Sequence, residues 1–170
     1  DMAPDRVYRH PFMMSPGDYA RGKRRMVAAW QLICALPGMP CLYYGDEAGL
    51  TGMADPYNRA TYPWGREDAA LVETYRRIMT DRMASPVLRT GSLRLIAPGP
   101  DVVLVERRIE GGADVFGEPA EDGFRVLAVN RCGEPRRAEY GGRVWEIPGE
   151  SAIWITPDAE ALGESTKAEW

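Results

Sequence analysis

Histidine is nearly absent: His10 is the one example in 170 residues. No group of Cys, His and Asp has the spacing of metal ligands, so neither a metal nor another cofactor is expected. The three cysteines, Cys34, Cys41 and Cys132, are odd in number and form no C-x-x-C pair. Two of them lie inside apolar runs, which favours buried thiols over disulfides. No stretch of about 18 apolar residues occurs, so no helix is expected to cross a membrane. The start, Asp1 to Arg6, has no apolar core of the signal-peptide kind, and localisation is left open with a lean to a reducing, cytoplasmic setting. Long basic runs are missing and the net charge is −4, which argues against nucleic acid or an anionic membrane as partner. A neutral substrate fits better.

What is present is globular. Hydrophobic residues make up 45% and charged residues 27%, enough for a packed core, while 18 Gly and 14 Pro spread along the chain signal many turns. This length suits one domain, or two small units, since a domain takes ~100–200 residues.

Along the chain, Ser15-Pro16-Gly17-Asp18 reads as a helix start, with a capping hydroxyl, a proline at the first helical position and a carboxylate near the positive end. A helix over 19–36 is expected, with Met26, Ala29, Trp30, Ile33 and Leu36 on its apolar side and Arg21, Lys23, Arg24 and Arg25 in solvent. Pro37-Gly38 stops it. The run Cys41-Leu42-Tyr43-Tyr44 before Gly45 predicts a buried strand, followed by a polar loop over 46–67 and a second amphipathic helix over 68–84. From Pro86 the period changes. Short runs of β-type composition, 93–97, 102–108, 124–129, 144–147 and 152–155, alternate with Gly, Pro and Asn turns, the pattern of an antiparallel sandwich. Residues 111–123 are expected to form a hairpin loop.

The stretch Leu36-Pro37-Gly38-Met39-Pro40-Cys41-Leu42-Tyr43-Tyr44-Gly45-Asp46-Glu47-Ala48-Gly49-Leu50 resembles the eighth barrel strand of the alpha-amylase superfamily, glycoside hydrolase family 13. Asp55-Pro56-Tyr57-Asn58-Arg59 with Tyr62-Pro63-Trp64 is similar to its neopullulanase, cyclomaltodextrinase and maltogenic amylase branch. Asp81-Arg82 and Ser85-Pro86-Val87-Leu88-Arg89-Thr90-Gly91 resemble the join between the last barrel helix and that family's C-terminal β-domain. The likeness spans about 19–155, with specific motifs in the first half and general pattern in the second.

The resemblance implies an α/β plus all-β chain: the terminal piece of a (β/α)8 TIM barrel over 1–85, an antiparallel β-sandwich C-terminal domain over 86–157 and a flexible tail over 158–170. It implies a parent enzyme that hydrolyses α-glucans with retention, using three carboxylates from earlier strands. The blocks that carry them are not found here, and Asp1 matches none. No catalytic residue is therefore assigned, and the chain alone is expected to be inactive. The alternative is a noncatalytic carbohydrate-binding or interaction module derived from an amylase.

Asp46-Glu47 is a false lead for catalysis. Adjacent residues of an extended chain point to opposite sides, whereas a retaining pair must flank one bond ~5–5.5 Å apart. Asp55 and Arg59 are the substrate-binding candidates, because in the resembling branch this aspartate and arginine contact glucose units on the non-reducing side of the cleavage point. Their charged groups suit sugar hydroxyls, although a salt bridge shaping the loop would also explain them. Trp64 and Tyr57 are read as loop anchors ahead of sugar-stacking residues, and His10 as a polar surface residue. The expected partner is an α-glucan oligosaccharide in the parent enzyme. Self-association is expected through the open barrel edge, where Leu42, Tyr43, Tyr44, Trp30 and Ile33 would face water.

Overall fold

A computed structural model describes residues 14–52 and 58–156. Asp1, His10, Asp55, Tyr57 and the tail beyond Thr156 lie outside the described residues. The elements are α1 (Pro16–Ala35), α2 (Ala69–Ala84), α3 (Pro86–Thr90), β1 (Ser92–Gly99), β2 (Val102–Ile109), β3 (Gly123–Asn130), β4 (Arg136–Tyr140), β5 (Arg143–Ile147) and β6 (Ser151–Ile155).

Helix α1 starts where its capping sequence says it should. The Ser15 hydroxyl oxygen accepts from the Asp18 N–H at 3.1 Å, Pro16 occupies the first turn, and the Leu36 N–H closes the far end on the Leu32 carbonyl. Such a cap contributes about 1 kcal/mol. The helix buries two flanks rather than the single face expected from its sequence. Ala28 and Ala35 lie on a β-sheet, and Trp30 and Cys34 pack against Leu71 and Tyr75 of α2. Ala29 is exposed, and Met26 and Ile33 are more than a third exposed, because a helix wedged between two layers leaves its third side to solvent. Trp30, expected to face water, is instead buried. Its ring stacks on Tyr75 with centroids 5.3 Å apart, and its indole N–H donates to the Tyr75 carbonyl.

The expected strand at 41–44 is not formed. Residues 39–43 have no regular secondary structure and 44–49 is a turn. A strand exists only as part of a ladder, and among the described residues none lies alongside this run. Cys41 is consequently exposed rather than buried; Cys34 is buried and Cys132 half-buried, all three as free thiols.

The β region is antiparallel throughout. Strands β1, β2, β3 and β6 form one sheet in the order β1-β2-β3-β6, and β4 and β5 form a separate hairpin. Alternation sorts the sheet residues to two faces. Val102, Leu104, Val126, Ala128 and Ile155 point to the hairpin, where Ala138, Tyr140 and Ile147 meet them. Val105, Leu127 and Ala152 point the other way, onto α1. Each fully buried leucine here stabilises by ~1.5–3 kcal/mol. Strand β4 escapes sequence reading because Arg-Arg-Ala-Glu-Tyr is mostly polar and places only Ala138 and Tyr140 inward.

Two arginines seal the joint between helices and sheet. Arg107, fully buried on the α1 side of β2, donates to the carbonyls of Ala35, Leu88, Gly91 and Ser92 at 2.7–3.1 Å. Arg82 of α2 donates to those of Cys34, Leu36, Gly38 and Leu88. Several of these carbonyls belong to the end of α1, which has no intrahelical donor for them. At Gly91 the chains pass so closely that an added Cβ would sit 2.4 Å from the Val87 carbonyl oxygen.

Candidate functional site

The connection between α1 and α2 carries the sequence motifs of functional interest. It turns at Gly45, whose φ of +91 favours glycine and whose Cβ would strike Leu50. The turn is held by N–H donation from Ala48 and Leu50 to the Gly45 carbonyl, and by the Glu47 carboxylate, which accepts from the Gly45 N–H at 3.0 Å. The Asp68 N–H then donates to the Ala48 carbonyl at 3.0 Å, so residues 48–68 form a loop closed at its base.

Asp68 anchors that base from three sides. It caps α2 by accepting from the Leu71 N–H, and takes hydrogen bonds from Lys23 at 2.6 Å and the Tyr19 hydroxyl at 3.0 Å, both on α1. The Lys23 contact is the chief reason its carboxyl is held below the usual range. Gly49 lies directly beneath Tyr19, leaving no room for a side chain. Lys23, expected in solvent, is thus part of the loop's foundation.

Above the base, the Tyr44 hydroxyl donates to the Ala60 carbonyl at 3.1 Å, and the Tyr62 hydroxyl donates to Glu47. Desolvation first, and the Glu47 charge second, push the Tyr62 phenol up. Asp46 is likewise raised, by burial and then by its neighbour Glu47. Glu47 therefore ties the Gly45 turn to Tyr62 of the loop. Trp64 follows Tyr62 in a tight turn, with its N–H on the Tyr62 carbonyl and Gly65 at φ +74 behind it. The two rings lie 4.5 Å apart at 49°, and Trp64 is 80% exposed, so within the described residues it is not the buried anchor expected from its sequence. Arg59 is exposed in the same loop, while the Asn58 Oδ1 beside it is buried without a hydrogen-bond donor among the described residues. Asp55 lies outside the described residues. Among the described residues no group of three or more His, Cys, Asp or Glu could hold a metal ion, and no helix is long and apolar enough to cross a membrane.

No family model matches the chain. Individual relatives do. An amylopullulanase of Thermoanaerobacter thermohydrosulfuricus is 41% identical over 108 residues, 64% of this chain and 7% of that enzyme. A cyclomaltodextrinase of a Bacillus species is 37% identical over 76 residues, covering 44% of this chain and 14% of its own length. Among solved structures, the cyclic α-maltosyl-(1→6)-maltose hydrolase of Arthrobacter globiformis superposes with a TM-score of 0.61 at 23% identity, over 76% of this chain and 28% of that one. That hydrolase has also been solved in complex with maltose. The chain thus spans under a tenth of the amylopullulanase it matches and under a third of the hydrolase.

A C-terminal antiparallel sandwich, joined through α1 and α2 to this loop, is the architecture shared with amylolytic glycoside hydrolases. The chain's homologues include amylopullulanases, cyclomaltodextrinases and maltogenic amylases and its structural neighbours are glycoside hydrolase family 13 enzymes, so the chain resembles a C-terminal portion of an alpha-amylase superfamily member.

Proposed function

We propose that the chain comes from the C-terminal part of a retaining α-glucan hydrolase, with residues 1–85 completing a catalytic (β/α)8 barrel and 86–157 forming its C-terminal β-domain. In this reading residues 41–44 join the eighth-strand position once earlier strands lie beside them, and 46–67 are the eighth loop at the substrate end of the barrel. Asp55 and Arg59 hold glucose units on the non-reducing side of the cleaved bond, the carboxylate accepting and the guanidinium donating hydrogen bonds to hydroxyls. The catalytic carboxylates belong to earlier strands, and the 170 residues alone do not hydrolyse.

The main support is the loop closed by Ala48 and Asp68, which carries the exposed Arg59 and the packed Tyr62–Trp64 pair. The test compares reducing-sugar release from starch, pullulan and cyclodextrin by the pure 170-residue chain and by a protein extended through the upstream reading frame. The extended protein should be active and the short chain silent. An inactive extended protein defeats the reading, and hydrolysis by the short chain defeats its second half.

Without those earlier strands, Ile33, Leu42, Tyr43 and Tyr44 remain partly open to water. Self-association of the short chain through 26–45 follows from that surface. Light scattering at rising concentration checks it, and a strict monomer at all concentrations would contradict it.

A further inference from the structure

Exposed tryptophan is costly, since the indole is among the largest apolar side chains and gains most from burial. Of the tryptophans in the described residues, Trp30 is buried and Trp145 and Trp154 are half-buried, while Trp64 stands in solvent. It is not loosely held. The Pro63–Arg66 turn, closed by the Arg66 N–H on the Pro63 carbonyl at 2.8 Å, fixes its backbone. Tyr62, tied to Glu47, supports its ring from one side. The pair therefore offers apolar ring faces beside the carboxylates of Glu47 and Glu67, on the loop that also carries the exposed Arg59.

That combination matches the chemistry of a pyranose, which has an apolar face of C–H groups and a rim of hydroxyls. We propose that Tyr62 and Trp64 form a stacking platform for a glucose ring of an α-glucan chain, an inference that rests on the hydrolase reading above. Sugar C–H groups lie on the rings, and hydroxyls reach the charged groups at the platform's edge. The 49° tilt also bears on linkage. Successive rings of an α-1,4-glucan turn relative to one another, so a curved chain follows two inclined faces, whereas a flat β-1,4-glucan ribbon meets only one of them.

The test uses the 170-residue chain labelled with ¹⁵N. The indole N–H signal of Trp64 is assigned by its loss in Trp64→Phe, and the chain is titrated with maltoheptaose and with cellohexaose. A saturable shift of that signal with maltoheptaose is expected, with little response to cellohexaose. Trp64→Ala should weaken binding about tenfold and Trp64→Phe by less, since a smaller aromatic face remains. Because Trp64 is exposed, an unchanged amide spectrum and melting temperature will show that the variants stay folded. No shift at saturating maltoheptaose, or an equal response to cellohexaose, overturns the platform. So does a Trp64 signal that moves with protein concentration in the absence of sugar, which would make a second copy the occupant. The extended protein's activity on starch separates the two ideas. Hydrolysis without a Trp64 shift sinks the platform alone, and a maltoheptaose-specific shift without hydrolysis supports the platform while sinking the hydrolase reading.

Discussion

Arg82 and Arg107 share one acceptor: both guanidinium groups donate to the carbonyl oxygen of Leu88, at 3.0 and 2.9 Å, from opposite sides of the joint between helices and sheet. Two buried cations this close disfavour each other's charge. Burial first, and Arg82 second, lower the Arg107 pKa to about 10. They persist because the carbonyls at the end of α1 and around α3 need donors.

Removing Arg107 should therefore be severe. Arg107→Met keeps the volume but takes the guanidinium donor from the carbonyls of Ala35, Gly91 and Ser92, while Leu88 keeps Arg82, and each buried unsatisfied acceptor costs ~1–3 kcal/mol, partly relieved by water. A loss of about 3–5 kcal/mol is expected, and at ~2–4 °C per kcal/mol the melting temperature should fall by roughly 6–20 °C. Arg82→Met should behave alike. A change under ~1 kcal/mol in urea unfolding would show that the carbonyls find other donors.

Glu150 gives the fold an acid sensitivity. Its side chain is 5% exposed and sits at φ +50 in the turn before β6, accepting from Arg21 at 2.7 Å and Arg25 at 2.9 Å, with Arg24 3.7 Å away. The hydrogen bond from Arg21 is the foremost cause of its lowered pKa. A carboxyl held below its unfolded value stabilises the fold above about pH 4.3, and loses that contribution as pH falls through the folded value. Glu150→Gln should thus lower the melting temperature at pH 7 by more than it does near pH 3. A gap that stays constant between those pH values would rule out the ionic origin. Arg21, Arg24 and Arg25, read from sequence as solvated, are more than half exposed and at the same time tie α1 to Glu150.

The thiols should separate cleanly. Burial pushes the Cys34 thiol up to about 11, against a small opposing pull from Arg82, while Cys41 is exposed. Alkylation follows the thiolate and its access. Iodoacetamide at pH 8 should label Cys41 rapidly and Cys34 only after unfolding, as read by peptide mass mapping. Fast labelling of native Cys34 would mean that the contact between α1 and α2 opens readily.

In the extended enzyme, Asp55→Ala or Arg59→Ala should reduce kcat/KM on maltotriose about ten- to a hundredfold with an unchanged melting temperature. A charged hydrogen bond is worth ~1.5–3 kcal/mol, and that is the size of the transition-state loss each truncation should cause. Normal kinetics in a normally folded variant would reduce this pair to a loop-shaping role.

The sequence by itself determined whatever is local. Ser15-Pro16 and Asp68 mark helix starts through their own capping atoms, Pro37-Gly38 stops α1, and alternation in Val102–Ile109 and Gly123–Asn130 sorts residues to two faces. The motifs of the loop carry the resemblance to the alpha-amylase superfamily without reference to any contact. Tertiary structure decided what depends on a partner far along the chain. Cys41–Tyr44 has strand composition but no ladder to join, so it is irregular. Trp30 has the pattern of an open edge, yet Tyr75, 45 residues later, covers it. The arginines of α1 are solvated as their sequence suggests, yet Arg25 also meets Glu150, 125 residues on, which no local pattern announces. Periodicity reports which side of an element is apolar, but only packing supplies the atoms on the other side of the contact.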